Sequence, residues 1–311
     1  MNIRILILIW FPLIIFGCGN KSEKTGSVSA DSVSQVKSLP LPVVPAQIQD
    51  SREKLRYVLT HYWDAMNWRD TALVNNEEFM EQSMVNYFAI LAKADSLVGA
   101  DGVNRMIASA SVNPSALTKV VEIGSRYLYE PESPMYDAEG YAMLLDQLIL
   151  DPTNAGVPLE TFEARHAQIM KNRVGRKAAD FTFMDREGHR MKLSEAVAGT
   201  EETILLFYDP DCNVCEATER FLASSAKLNR LIGEGRLRIV AIDPFDSDTE
   251  RWKDHADSLP RNWTVGRSPG GRIDSEEIYV IRATPAVYLL DGSMTVRVKD
   301  ARDDEISSWA S

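Results

Sequence analysis

The hydrophobic pattern divides the chain into two textures. From about Gln49 to Arg173, apolar residues recur at helical spacing. Leu55, Val58, Leu59, Tyr62, Trp63 and Met66 form an i, i+3, i+4, i+7 stripe behind Asp50 and Ser51. Asn75 or Asn76 is placed to cap a second, long helix carrying Phe79, Met80, Met84, Tyr87, Phe88 and Leu91. Pro114 stands where a first helical turn accepts proline, ahead of Leu117, Val120, Val121 and Leu128. Asp137–Leu150 and Leu159–Lys171 read as two more helices, so residues 49–173 predict a small all-α domain of about five helices. The segment from Tyr129 to Pro134 is too proline-rich for helix or central strand and predicts an ordered turn. His61, Tyr62, Trp63 and Trp68 are expected in the helical core rather than around a ligand, and His61 and His166 lack the companions a metal site needs.

Beyond Gly175 the texture becomes alternating. Phe181–Met184 and His189–Leu193 flank Asp185-Arg186-Glu187-Gly188, a hairpin signal. Thr203–Tyr208 and Leu237–Ile242 read as buried strands, with a helix of about twenty residues running between them to Ile232. Asp248 opens another helix that Pro260 must end. Ala286–Leu290 and Thr295–Val298 surround the Asp291-Gly292 turn of a second hairpin, and Asp303–Trp309 is a short terminal helix. This order predicts an α/β domain over residues 174–311, a mixed sheet covered on both faces by helices.

The N-terminus carries a different signal. Arg4 precedes an apolar run from Ile5 to Phe16 that is too short to span a membrane and is interrupted by Pro12, as in the apolar region of an export signal. Ile15-Phe16-Gly17-Cys18 resembles the lipobox of bacterial lipoproteins. That resemblance implies cleavage after residue 17, a diacylglycerol on the Cys18 sulfur, and anchorage to a membrane of the cell envelope facing periplasm or surface. Residues 18–48, rich in Ser and closing with Pro40, Pro42 and Pro45, read as the lipidated N-terminus and a flexible linker.

Composition narrows the function. The 311 residues are 45% hydrophobic and 25% charged, values that exclude a disordered or collagen-like chain. A formal charge of −11, with no clustered basic stripe, argues against nucleic acid as a partner. Three cysteines, Cys18, Cys212 and Cys215, leave an odd thiol in any full disulfide framework. Cys18 on lipid resolves the count, and an oxidising compartment lets the other two cycle.

Cys212 falls just past an apolar strand and at the start of a helix. Backbone N–H groups and the positive end of the helix dipole stabilise a thiolate there, and the thiolate is the nucleophile of disulfide exchange. Cys215, one turn inward, is placed to attack a mixed disulfide and release product. A structural staple is a weak alternative, because closing so short a loop yields only about 2 kcal/mol against nearly 5 for a hundred-residue loop. Zinc lacks a second CxxC or CxxH half. A pair of buried spectator thiols does not suit an exposed strand-to-helix junction.

With Cys212-Asn213-Val214-Cys215 after a strand, and Ala283-Thr284-Pro285 before the strand Ala286–Leu290, the region from about Lys177 onward resembles the thioredoxin-like domains of exported, membrane-tethered thiol-disulfide oxidoreductases. The resemblance implies that Cys212 attacks and Cys215 resolves. It also implies that Pro285 is cis and faces the pair, and that the backbone of Thr284 pairs with a bound substrate chain. The helical region resembles a domain of unassigned function that often precedes thioredoxin-like domains in bacterial lipoproteins. Disulfide-containing exported proteins are then the implied substrates, with a membrane or periplasmic electron donor and no metal or other cofactor.

Several positions depart from the thioredoxin pattern. Asp211 stands where thioredoxins carry tryptophan, Asn213-Val214 replaces Gly-Pro, and Leu206 takes the place of a buried acid. Asp209, Asp211 and Glu216 surround the pair, and carboxylates oppose a thiolate, so a reducing rather than strongly oxidising dithiol is expected. Asp209 also replaces the Thr or Ser of a peroxiredoxin. A copper carrier would require CxxxC and a distal histidine, and His255 is more simply a solvated helix residue. The alternative of another class is a non-catalytic surface lipoprotein that binds through its thioredoxin-like domain.

Overall fold

The computed structural model describes residues 38–150 and 159–310. The expected export signal and Cys18 lie outside the described residues. Among the described residues, no helix is long and apolar enough to cross a membrane.

The helical half is built from α1 (Ser51–His61), α2 (Thr71–Val74), α3 (Glu77–Leu91), α4 (Ser96–Ala110), α5 (Pro114–Gly124), α6 (Ala138–Leu150) and α7 (Leu159–Met170). Side-chain caps set the starts. The carboxylate of Asp50 accepts from Glu53 N–H, the amide oxygen of Asn76 from Phe79 N–H, and Asn113 precedes Pro114 at the first turn of α5. α1 ends at His61, earlier than its apolar stripe, and Tyr62, Trp63 and Met66 are buried in the turns that follow. The aromatic residues Tyr62, Trp63 and Trp68 are core, whereas His61 pairs with Asp64 at the surface.

α2 and α4 were not expected from the sequence. Gly99 and Gly102 disguise α4 as a poor helix former, but a Cβ on Gly102 would come within 2.8 Å of the Leu59 side chain. The two helices approach closely because that position is bare. α5 runs into a π-helix at Ser125–Tyr129, which delivers the chain to the proline-rich turn. The expected linker is also shorter than its reading to residue 48: Leu39 is already buried, its N–H donating to Ser83 Oγ at 3.0 Å.

The α/β half contains β1 (Thr182–Asp185), β2 (Arg190–Lys192), α8 (Leu193–Ala196), β3 (Glu202–Phe207), α9 (Asn213–Ser224), α10 (Ala226–Gly233), β4 (Leu237–Asp243) and α11 (Thr249–Ser258). It continues through β5 (Thr264–Arg267), α12 (Arg272–Ser275), β6 (Ala286–Asp291), β7 (Val296–Val298) and α13 (Asp303–Ala310). Among the described residues the strands form one mixed sheet in the order β2-β1-β5-β4-β3-β6-β7. β3, β4 and β5 run parallel, while β6 is antiparallel to β3. The fold class is therefore thioredoxin-like α/β behind an all-α region.

Central β3 is buried on both faces, as its unbroken apolar run requires. Ile204, Leu206 and Tyr208 pack with Leu222 and Trp252 beneath the helices, and Leu205 and Phe207 pack with Phe181, Tyr279 and Tyr288 on the opposite face. The helix expected from the cysteines to Ile232 is two, because Ser225 is extended and its hydroxyl accepts from Leu228 N–H to cap α10. β5 has no counterpart in the sequence pattern; glycine weakens a strand interior, yet a Cβ at Gly266 would lie 2.3 Å from the Phe183 ring, so packing demands glycine.

The end of α7 joins the halves. Asn172 donates from Nδ2 to Ile278 O and accepts from Ala179 N–H, and Lys299 Nζ donates to Ile169 O and Lys171 O.

Candidate active site

Strand pairing brings the two distant sequence signals together. Phe207 at the end of β3 faces Ala286 at the start of β6. Pro285, immediately before Ala286, therefore sits beside the turn that leads from β3 to the cysteines. In that turn Asp209 O accepts from Cys212 N–H at 3.0 Å, and the Asp209 carboxylate accepts from Asp211 N–H at 2.9 Å.

Cys212 is the N-cap of α9, half-exposed, and its sulfur accepts the Cys215 N–H at 3.1 Å. A side-chain oxygen normally fills this capping position. Sulfur there takes the same donor at the positive end of the helix. The Cys212 Sγ also lies 3.6 Å from Thr284 O, and the Thr284-Pro285 bond is cis. Cys215 is fully buried. Burial, reinforced by the neighbouring Cys212, pushes its thiol up to about 12. The pair is thus asymmetric, with one reachable sulfur and one shielded thiol.

The carboxylates expected to oppose the thiolate are not equally free to do so. Asp211 is ion-paired with Arg251, and Glu216 with Arg220 at 3.0 Å, whereas the Asp209 carboxylate accepts the Asp211 N–H. Leu206 faces the α9 core as an apolar residue, and buried acids lie elsewhere. Asp243, at the end of β4, accepts from Phe245 and Ser247 N–H groups at 2.9 Å, with its pKa raised by burial.

His255 is not a solvated helix residue, as its sequence context suggested. Its side chain is only 10% exposed, and Nε2 lies 3.1 Å from the carboxylate of Glu219, itself 5% exposed. The ring stacks on Tyr208 at 5.0 Å, and Tyr208 Oη accepts from Trp252 Nε1. The hydrogen bond to Glu219 raises the His255 pKa against the desolvation of its ring. Glu219 is four residues beyond Cys215 and lies on the same side of α9. A charged residue on each of two facing apolar stripes was the available signal. Asp185, Glu187 and His189 bring ligand atoms within 4.8 Å of one another on the β1–β2 hairpin, in a largely exposed setting.

Beside the cysteines lies a cleft of about 320 Å³. Val214, Thr284 and Pro285 line one side; Pro131, Ser133 and Tyr136 of the helical half line the other.

Fold and site together define a thioredoxin-like protein with a CxxC pair at the strand-to-helix junction. Residues 17–172, half of the chain, match the family described as "Domain of unknown function (DUF5106)", and the chain belongs to that family. No curated protein matches. A thioredoxin-like protein from Bacteroides caccae is similar in structure with a TM-score of 0.81 and 27% identity, over 89% of this chain and 99% of that one. A conserved protein of unknown function from Bacteroides fragilis is 36% identical over 45% of this chain and 99% of its own, with a TM-score of 0.42. The thioredoxin domain of a thiol-disulfide oxidoreductase from Bacteroides vulgatus is 20% identical over 44% of this chain and 98% of its own, with a TM-score of 0.38.

Proposed function

We propose that the chain is a thiol-disulfide oxidoreductase acting as a reductase of disulfides in exported proteins. One observation carries the reading: the half-exposed Cys212 sulfur caps α9, accepts the Cys215 N–H, and lies 3.6 Å from the carbonyl of Thr284. In the proposed reaction the Cys212 thiolate attacks one sulfur of a substrate disulfide, forming a mixed disulfide and expelling the other sulfur as a thiolate. Cys215 then loses its proton and attacks Cys212 Sγ. The substrate's second thiolate leaves, and the protein holds a Cys212–Cys215 disulfide. Two electrons have passed to the substrate, and a membrane or periplasmic dithiol donor must return them.

Thr284 and Pro285 shape the substrate groove, the Thr284 backbone being placed to pair with an extended chain. Lipid on Cys18 would tether the protein in the cell envelope, where substrates carry disulfides. Loss of membrane fractionation in Cys18→Ala is the expected result; unchanged processing and fractionation would remove the tether from this account.

Insulin reduction by dithiothreitol tests the catalytic reading. Wild type should accelerate it, and Cys212→Ser should lose on the order of a thousandfold. Equal rates for wild type, Cys212→Ser and Cys215→Ser would instead indicate a binding protein. The reductive direction predicts a potential well below that of the strongest periplasmic oxidants, about −120 mV.

A further inference from the structure

We propose that the helical region supplies the far wall of the substrate cleft, and that the cleft selects an extended polypeptide with an apolar residue beside its reacting cysteine. This rests on the oxidoreductase reading and extends it to the helical region, whose role is otherwise unassigned.

The wall is the turn from Glu130 to Asp137, and it is fixed at both ends. At its start, the Arg282 guanidinium lies 3.5 Å over the Tyr129 ring, donates to Tyr129 O, and comes within 3.7 Å of Glu130. At its end, Tyr136 Oη donates to the half-buried Asp300 at 2.9 Å. Within it, Ser133 Oγ donates to Tyr127 O at 2.6 Å and accepts from Met135 N–H. These contacts hold the wall in register with Thr284 and Pro285 across the cleft.

The occupant follows from the position of Cys212. Any chain whose sulfur reaches Cys212 Sγ must lay its neighbouring residues against Val214 and Pro285, and hence into this cleft. A space of about 320 Å³ accommodates side chains of an extended segment rather than a folded surface. Apolar groups reach into it from both sides, Val214 and Pro285 facing Pro131 and Tyr136. The apolar lining continues past Val214, 62% exposed, into a second cavity of about 240 Å³ that Phe221 and Ile306 also line. Burying such side chains against an apolar residue is favourable, whereas an acidic residue would meet Glu132, Asp300 and Asp303, which line the same cleft together with Arg282 and Arg302. Arg282 is already engaged by Tyr129 and Glu130.

The test compares kcat/KM for reduction of two peptide disulfides that differ only in Leu or Asp next to the cysteine. A ratio cancels any change in the reactivity of Cys212. Wild type should prefer the Leu peptide by about tenfold. Pro131→Trp, which fills the cleft from the helical side, should reduce that preference to about twofold or less. Glu132→Lys lies on the exposed rim, where the fold tolerates it, and should shift the ratio between lysine-bearing and glutamate-bearing peptides about fivefold toward the acidic one. No Leu preference in wild type, or ratios unchanged in both variants, would overturn the inference. A wild type that exchanges with no peptide disulfide would instead remove the oxidoreductase reading, and this inference with it.

Discussion

The two walls of the cleft are built in opposite ways. The cysteine wall is local: ten residues from Leu206 to Cys215 take the chain from strand to turn to helix. One strand pairing, Phe207 with Ala286, brings the Thr284-Pro285 segment alongside. The opposite wall depends on contacts between residues far apart in sequence, Arg282 to Tyr129 across 153 positions and Asp300 to Tyr136 across 164. A site can therefore be half motif and half packing. The motif half identifies the chemistry, and the packing half shapes what reaches it.

The predictions probe this contrast from the largest effect to the smallest. Phe207 is fully buried among Phe181, Tyr279 and Tyr288 under the cysteine turn. Phe207→Ala should cost about 3–5 kcal/mol in urea unfolding. A loss below 1 kcal/mol would show that the turn does not stand on this core. On the other wall, Tyr136→Phe removes the hydroxyl from half-buried Asp300 and should cost about 1–3 kcal/mol in the same measurement. An unchanged midpoint would mean that the contact does not hold the wall.

His255 provides a pH test of the buried pair under α9. Its folded pKa is raised by Glu219, so the folded state holds the proton more tightly than the unfolded chain does. The resulting stability is fully present below the ordinary histidine value of about 6.5 and is lost as pH rises through the folded pKa. His255→Gln should flatten that dependence in thermal melts followed from pH 5 to 8. A variant with the wild-type slope would assign the dependence to another group. The smallest change is chemical: with the Cys215 thiol pushed up to about 12, iodoacetamide at pH 8 should add one group, at Cys212, to the reduced folded protein. Equal labelling of both cysteines would contradict the asymmetry.

Legibility in the sequence follows the same division. β3, β4 and β6 were readable because their apolar runs sit between turn signals, and the cysteine pair was readable from its spacing and junction. β5 was hidden by Gly266, which the Phe183 ring requires, and α4 by Gly99 and Gly102, where a helix neighbour comes close. Ser225 broke a helix whose hydrophobic period continues on either side. The His255–Glu219 pair went unseen because neither residue carries a motif and 36 positions separate them. Nothing local in the proline-rich turn points to the cleft it borders; only Arg282 and Asp300 place it there. The family match covers this helical region without assigning it an activity.

Trapping the mixed disulfide tests the central claim most directly. Cys215→Ser, reacted with a peptide disulfide and measured by intact mass, should gain one peptide through Cys212 and retain it until dithiothreitol is added. Wild type under the same conditions should release the peptide and finish two hydrogens lighter. A Cys215→Ser protein that gains no peptide, or an equal gain in Cys212→Ser, would contradict the account.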